Sequence, residues 1–220
     1  MAEFLPSMMC SDIGNLQTEI HSLEEAGADR FHLDVMDGVF VPNFALGVSD
    51  VAAVCRLAQI PSEVHLMIVH PENYIHLFAS TGVQIIYFHP ESTYHPTTVI
   101  AKIKNEGVEP GIVLSPGVSV ESVSELLHIV KYVMVMGVNP GQAGQLYLPY
   151  VDRKIDKLSQ MKDEFQIRIY MDGACSEERI RNNRKKYVDG YVLGTAALFN
   201  SNGTYQEKIG RLRIAAGDRE

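Results

Sequence analysis

The chain has 220 residues, 46% hydrophobic and 21% charged, which suits one globular domain, residues 1–220, with a sizeable core. Its formal net charge of −8 is offset by no basic run, which argues against a nucleic-acid footprint and against attraction to an anionic membrane. Cys10, Cys55 and Cys175 are odd in number and contain no C-x-x-C pair, the N-terminus lacks a basic and apolar leader, and no run reaches membrane-spanning length; a cytoplasmic, reducing setting is expected.

In chain order, short apolar runs alternate with longer amphipathic ones. A first strand over 4–8 precedes a helix over 13–26, in which Leu16, Ile20 and Leu23 recur at helical spacing and Gly27 closes the end. The second strand, 30–35, continues into Met36-Asp37-Gly38 and a turn-rich loop before a helix over 49–57. The third strand, 63–68, leads to a helix opening at Pro71-Glu72 and ending at Gly82. Strand four (84–88) and helix four (96–105) exit at Gly107. There follow strand five (111–114), helix five (120–128), strand six (132–136), helix six (149–165), strand seven (167–171), helix seven (177–183), strand eight (188–193) and a last helix over 204–215.

Eight strands alternating with eight helices require parallel strands and right-handed crossovers, which a (β/α)₈ barrel satisfies. The recurring short turns around Gly27, Gly82 and Gly107 favour this TIM barrel over an open doubly wound sheet, the runner-up. In either fold chemistry belongs at the carboxyl ends of the strands.

Phe31, Leu33 and Val35 alternate with His32, Asp34 and Met36, so His32 and Asp34 share one side of their strand. His65 and Met67 end strand three, Met136 ends strand six, Ser7 follows strand one and Asp172 follows strand seven. In a barrel these converge on one mouth. Taken singly, the histidines read as satisfied core residues and the aspartates as helix caps. Taken together, His32, Asp34, His65 and Asp172 are a mixed nitrogen and oxygen set suited to one divalent ion per chain, zinc foremost, with manganese, cobalt, iron or magnesium as alternatives. Met36, Met67 and Met136 are ordinary core filler one by one; around that set they would make a water-excluding wall for a reactive intermediate.

The loop after strand six, Val138-Asn139-Pro140-Gly141-Gln142-Ala143-Gly144-Gln145, has the length and placement of a lid. Asp172-Gly173-Ala174 and Gly194-Thr195-Ala196 put small residues where loops seven and eight of such barrels commonly hold phosphate on backbone N–H groups. A phosphorylated small-molecule substrate is therefore expected.

Pro6-Ser7, the run His32 to Gly38 with Val41-Pro42-Asn43, His65-Leu66-Met67, Val138-Asn139-Pro140-Gly141 and Asp172-Gly173 together resemble the ribulose-phosphate 3-epimerase family, in register along nearly the whole chain. The resemblance implies a (β/α)₈ barrel that epimerises C3 of a ketose phosphate with a bound divalent metal. It implies His32, Asp34, His65 and Asp172 as ligands, and Asp34 and Asp172 as the acid/base pair. It also implies substrate contacts from Ser7, His65, the loop Gly141, Gln142, Ala143 and Gly144, from Asp172, Gly173 and Ala174, and from Gly194 and Thr195. A homo-oligomer is implied as well. The residues agree with that chemistry, because inverting a carbon beside a ketone needs one group to remove a proton from one face and a second to return one to the other.

Several positions depart from the pentulose-phosphate pattern: Ala174 and Gly137 stand where that branch has glycine and threonine, and Gln142 where it has phenylalanine. Met9-Cys10, His89-Pro90-Glu91, Cys175 after Ala174, and Leu198-Phe199 look more like the D-allulose-6-phosphate 3-epimerase branch. The expectation is therefore the hexulose pair D-allulose 6-phosphate and D-fructose 6-phosphate, with D-ribulose 5-phosphate and D-xylulose 5-phosphate as the alternative. A sugar-phosphate decarboxylase would use a lysine near the reacting carbon. A silent metabolite-binding barrel would have lost a ligand or an aspartate.

Overall fold

The structure, a computed structural model, describes residues 1–184, 186–200 and 203–217. Its strands are β1 (Glu3–Pro6), β2 (Phe31–Met36), β3 (Ser62–Met67), β4 (Ile85–Phe88), β5 (Glu109–Leu114), β6 (Tyr132–Met136), β7 (Arg168–Asp172) and β8 (Gly190–Leu193). They form one sheet in the order β1-β8-β7-β6-β5-β4-β3-β2, with each adjacent pair parallel. The two end strands meet through a parallel bridge between Ser7 and His32, so the sheet curls into a nearly closed barrel. An open doubly wound sheet would bury β1 at its centre rather than pair it with β8, and that alternative is excluded.

Helices α1 (Leu16–Glu25), α2 (Val48–Leu57), α3 (Ile75–Ala79), α4 (Pro96–Asn105), α5 (Asp152–Phe165), α6 (Glu177–Asn183) and α7 (Tyr205–Ala216) connect or follow the strands. α4, β6 and α6 have the bounds read from the sequence. Three expected helices begin differently: 13–26 opens with a 3₁₀ turn at Ile13–Asn15, the helix after β3 opens with one at Pro71–Asn73, and helix six opens with one at Pro149–Val151. Helix five is a 3₁₀ helix, Glu121–His128. Two serines there turn back on carbonyls three residues earlier, Ser122 Oγ to Ser119 O at 2.8 Å and Ser124 Oγ to Glu121 O at 3.1 Å, a local competition that disfavours regular α geometry. The three turn glycines do end their helices in the left-handed region, with φ of 88° at Gly27, 99° at Gly82 and 74° at Gly107.

Period-2 alternation sorts the side chains. Phe31, Leu33, Val35, Val64 and Leu66 pack outward in the main core under the helices, each worth roughly 1.5–3 kcal/mol of burial. Leu5, Ile85, Tyr87, Val113, Met134 and Tyr170 fill the barrel interior as a second cluster. Gly111 and Gly190 leave room for the rings of Tyr87 and Tyr170, which lie where a Cβ would otherwise sit. With the floor plugged by these side chains, the interior opens only where the inward residues turn polar, at the carboxyl ends.

Candidate active site

Strand register brings the polar residues together. Across the β2–β3 ladder His32 stands opposite Glu63 and Asp34 opposite His65, so two inward positions on each strand place four ionisable groups side by side. Asp172, the last residue of β7 rather than the first after it, completes the set. One ligand atom from each of His32, Asp34, His65 and Asp172 lies within 4.8 Å of every other. His32 Nε2 and His65 Nδ1 are each 3.3 Å from Asp34 Oδ1, and His65 Nδ1 is 3.7 Å from Asp172 Oδ2.

These two imidazole nitrogens are also buried without a hydrogen-bond partner, an uncompensated cost in a protein interior. The opposite edges of both rings are occupied: His32 Nδ1 is 2.8 Å from Glu63 Oε1, and His65 Nε2 is 2.9 Å from His89 Nε2. Two lone pairs left facing two carboxylates, on rings fixed from behind, are what a divalent cation needs, and the site fits one.

The two aspartates are driven apart electrostatically. Burial by itself would raise Asp34, but in the metal-free cluster the charge of protonated His32 and His65 beside it outweighs burial and holds the carboxyl well below the usual range. Asp172 is raised, first by burial and then by the charge of Asp34. Ser7 Oγ donates to Asp34 Oδ2 at 2.6 Å, a charge-assisted bond from the β1 side.

Above the cluster a cleft collects most of the expected residues. Ser7, Asp34 and Asp172 line it, with Met36, Met67 and Met136 as its apolar wall. Loop six contributes Gln142, Ala143 and Gly144; loops seven and eight contribute Gly173, Ala174, Gly194 and Thr195. Two expected substrate contacts, Gly141 and His65, fall elsewhere. Gly141 is buried against Val41 and does not line the cleft; its carbonyl accepts from Asn43 Nδ2 at 2.8 Å, docking loop six onto loop two. His32 and His65 are fully buried beneath the cleft, so His65 can serve the metal set but is not on the open surface expected of a substrate contact. Asn139 and Gln145 of the expected lid loop also line the cleft, whereas sequence reasoning missed Val192 on its wall, although Val192 is the inward neighbour of Gly194 by period 2. It missed Glu63 too, two residues before His65 on the same face.

No lysine or arginine lines the cleft among the described residues. An anion there would rest on backbone N–H groups, and the chain turns over Gly173 and Ala174 with positive φ of 94° and 52°.

A nearly closed parallel barrel with a buried His₂Asp₂ cluster under a cleft at its carboxyl ends defines a TIM-barrel enzyme whose mouth suits a divalent cation. The chain matches the profile of the ribulose-phosphate 3 epimerase family over residues 3–199. It is 38% identical over 181 residues to a ribulose-phosphate 3-epimerase of Bacillus subtilis, covering 81% of this chain and 83% of that one. It is 36% identical over 212 residues to one of Methanocaldococcus jannaschii, covering 96% and 89%. The chain belongs to the ribulose-phosphate 3-epimerase family and is an isomerase. A solved structure of KGPDC from Streptococcus mutans aligns with a TM-score of 0.74 at 11% identity, over 99% of this chain and 100% of that one, and shows the shared fold. Both sequence relatives are ribulose-phosphate 3-epimerases, so they favour the pentulose alternative over the hexulose pair expected from Ala174 and the His89-Pro90-Glu91 run.

Proposed function

We propose that this chain, as one epimerase domain, interconverts D-ribulose 5-phosphate and D-xylulose 5-phosphate by proton transfer at C3. The observation that carries the reading is the pair Asp34 and Asp172, brought from β2 and β7 to line one cleft, where one carboxyl can act as base and the other as acid beside the same His₂Asp₂ cluster. Asp34 would take the C3 proton while Asp172 supplies one to the other face, and the roles would exchange in the reverse direction. Ser7 holds the Asp34 carboxylate in place. Met36, Met67 and Met136 keep water from the enediolate that forms between the two transfers. His32, Asp34, His65 and Asp172 would hold one divalent ion, zinc by the chemistry of the donors, which supplies Lewis-acid stabilisation of negative charge on the substrate oxygens. Backbone groups of Gly173, Ala174, Gly194 and Thr195 are the proposed phosphate seat, with Gln142, Ala143 and Gly144 above it. Cytoplasmic placement is supported by three free cysteines and by the fact that no helix among the described residues is long and apolar enough to cross a membrane. A homo-oligomer belongs to the same proposal.

Among the described residues no lysine lines the cleft and both aspartates do, which counts against a decarboxylase and a silent binder. The test is turnover in deuterated water with each sugar. The expected result is solvent deuterium at C3 and a higher kcat/KM for D-ribulose 5-phosphate than for D-allulose 6-phosphate. Preference for the hexulose would move the assignment to that branch; conversion of neither would end the epimerase reading.

A further inference from the structure

The run His89-Pro90-Glu91, which follows β4, is not used by the proton-transfer scheme, yet it reaches the metal cluster from behind. His89 is fully buried and its ring stacks on His65 with centroids 5.1 Å apart and planes at 29°. The two Nε2 atoms are 2.9 Å apart, so one carries the hydrogen and the other accepts it. His89 Nδ1 in turn lies 2.9 Å from Ser115 Oγ and 3.4 Å from Glu91 Oε1.

This chain of groups has two arrangements. In one, His89 donates from Nε2, His65 accepts, and the remaining hydrogen of His65 sits on Nδ1, where it blocks the lone pair facing Asp34 and Asp172. In the other, His65 donates from Nε2, His89 accepts, and the hydrogen of His89 sits on Nδ1. Ser115 can donate or accept and so does not choose between them. Glu91 makes no hydrogen bond to His89 Nδ1 at 3.4 Å, but its negative charge beside that atom favours the arrangement that puts a hydrogen there, the second. We infer that His89 and Glu91 are positioning residues that hold His65 in the tautomer with Nδ1 free, directed at Asp34 and Asp172. His32 needs no such relay, because Glu63 accepts from its Nδ1 directly at 2.8 Å.

The inference rests on the reading of the cluster as a metal site, and the experiment separates the two. Metal-stripped protein is titrated with zinc ion against a chromophoric chelator, and the histidine ring nitrogens are observed by nitrogen NMR in the zinc-loaded form. Wild type should bind tightly and show His65 protonated at Nε2. His89→Ala should bind about 10- to 100-fold more weakly. His89→Gln, whose amide oxygen can take the place of Nε2 as acceptor, should recover most of that loss. Glu91→Gln, which removes that negative charge, should weaken binding in the same direction and needs no change in the core. Wild-type affinity in folded His89→Ala and Glu91→Gln, or a His65 hydrogen on Nδ1, would overturn the relay and leave the metal site standing. Should His89→Ala not fold, His89→Gln and Glu91→Gln decide the matter. Absence of zinc binding by wild type would remove the site and the relay together.

Discussion

Ser7 holds two roles toward β2 at once: its backbone bridges to His32 where the barrel closes, and its hydroxyl donates to Asp34 Oδ2 at 2.6 Å. One residue therefore links the seam of the barrel to the orientation of a proposed catalytic carboxylate. Ser7→Ala should keep the fold, since the backbone bridge survives. It should lower kcat by roughly 10²-fold through misplacement of Asp34, as judged by epimerase kinetics beside a circular dichroism spectrum. Unchanged kcat would detach Ser7 from the chemistry.

Asp34→Asn and Asp172→Asn should each lower turnover by about 10²- to 10⁴-fold, the usual scale for loss of a general acid or base. Because both side chains also belong to the proposed metal set, metal content is measured on the same samples. A folded, metal-replete variant with wild-type deuterium incorporation at C3 would remove that aspartate from the mechanism.

One divalent ion per chain is expected by elemental analysis. Adding back that ion to stripped protein at about 100 times its dissociation constant should raise unfolding stability by roughly 2.7 kcal/mol, because only the folded chain assembles the site. The double variant His32→Ala/His65→Ala should lose this response. A retained thermal shift there would place the ion elsewhere.

Asp37 ties loop two to the end of β3. Its Oδ1 accepts from Val39 N and Phe40 N and its Oδ2 from Val69 N, each at 2.8 Å. Although burial acts to raise it, these N–H groups prevail and the carboxyl lies below its ordinary value of 3.8. A depressed folded-state value means stability that is fully present above pH 3.8 and is lost as pH falls through the lower folded-state value. Asp37→Ala should cost about 1–3 kcal/mol at neutral pH, and the gap between variant and wild type should narrow on acidification below pH 3.8 in denaturant titrations. A gap that widens with acid would contradict the sign.

Loop six, the expected lid, is tied to loop two by Asn43 on Gly141 and within itself by Gln145, whose Nε2 donates to Asn139 O at 2.6 Å and to Gln142 O at 2.9 Å. Removing the first tie in Asn43→Ala should raise KM several-fold with a smaller change in kcat, since the loop then has more open states to select against. Equal losses in both constants would instead indicate a misplaced catalytic group.

Most of the site was legible in the sequence because strand alternation is local: the order His32, Leu33, Asp34, Val35, Met36 already separates a polar inner face from an apolar outer one. Eight repeats of strand, helix and turn carried the barrel for the same reason. Gly137 shows where local pattern stops. A Cβ there would come within 2.6 Å of Gly173 O and 2.9 Å of Tyr147 Cε2, a constraint set by residues 36 and 10 positions away, so only the folded packing explains the glycine. The burial of His65, the placing of Gly141 against Val41, and the contacts of Glu63 with His32 and of His89 with His65 are likewise decided by register between strands and by loop docking. Sequence spacing determines which face of its own strand a side chain occupies; which atom it meets across the barrel depends on the stagger and curl of all eight strands, and that exists only in the tertiary structure.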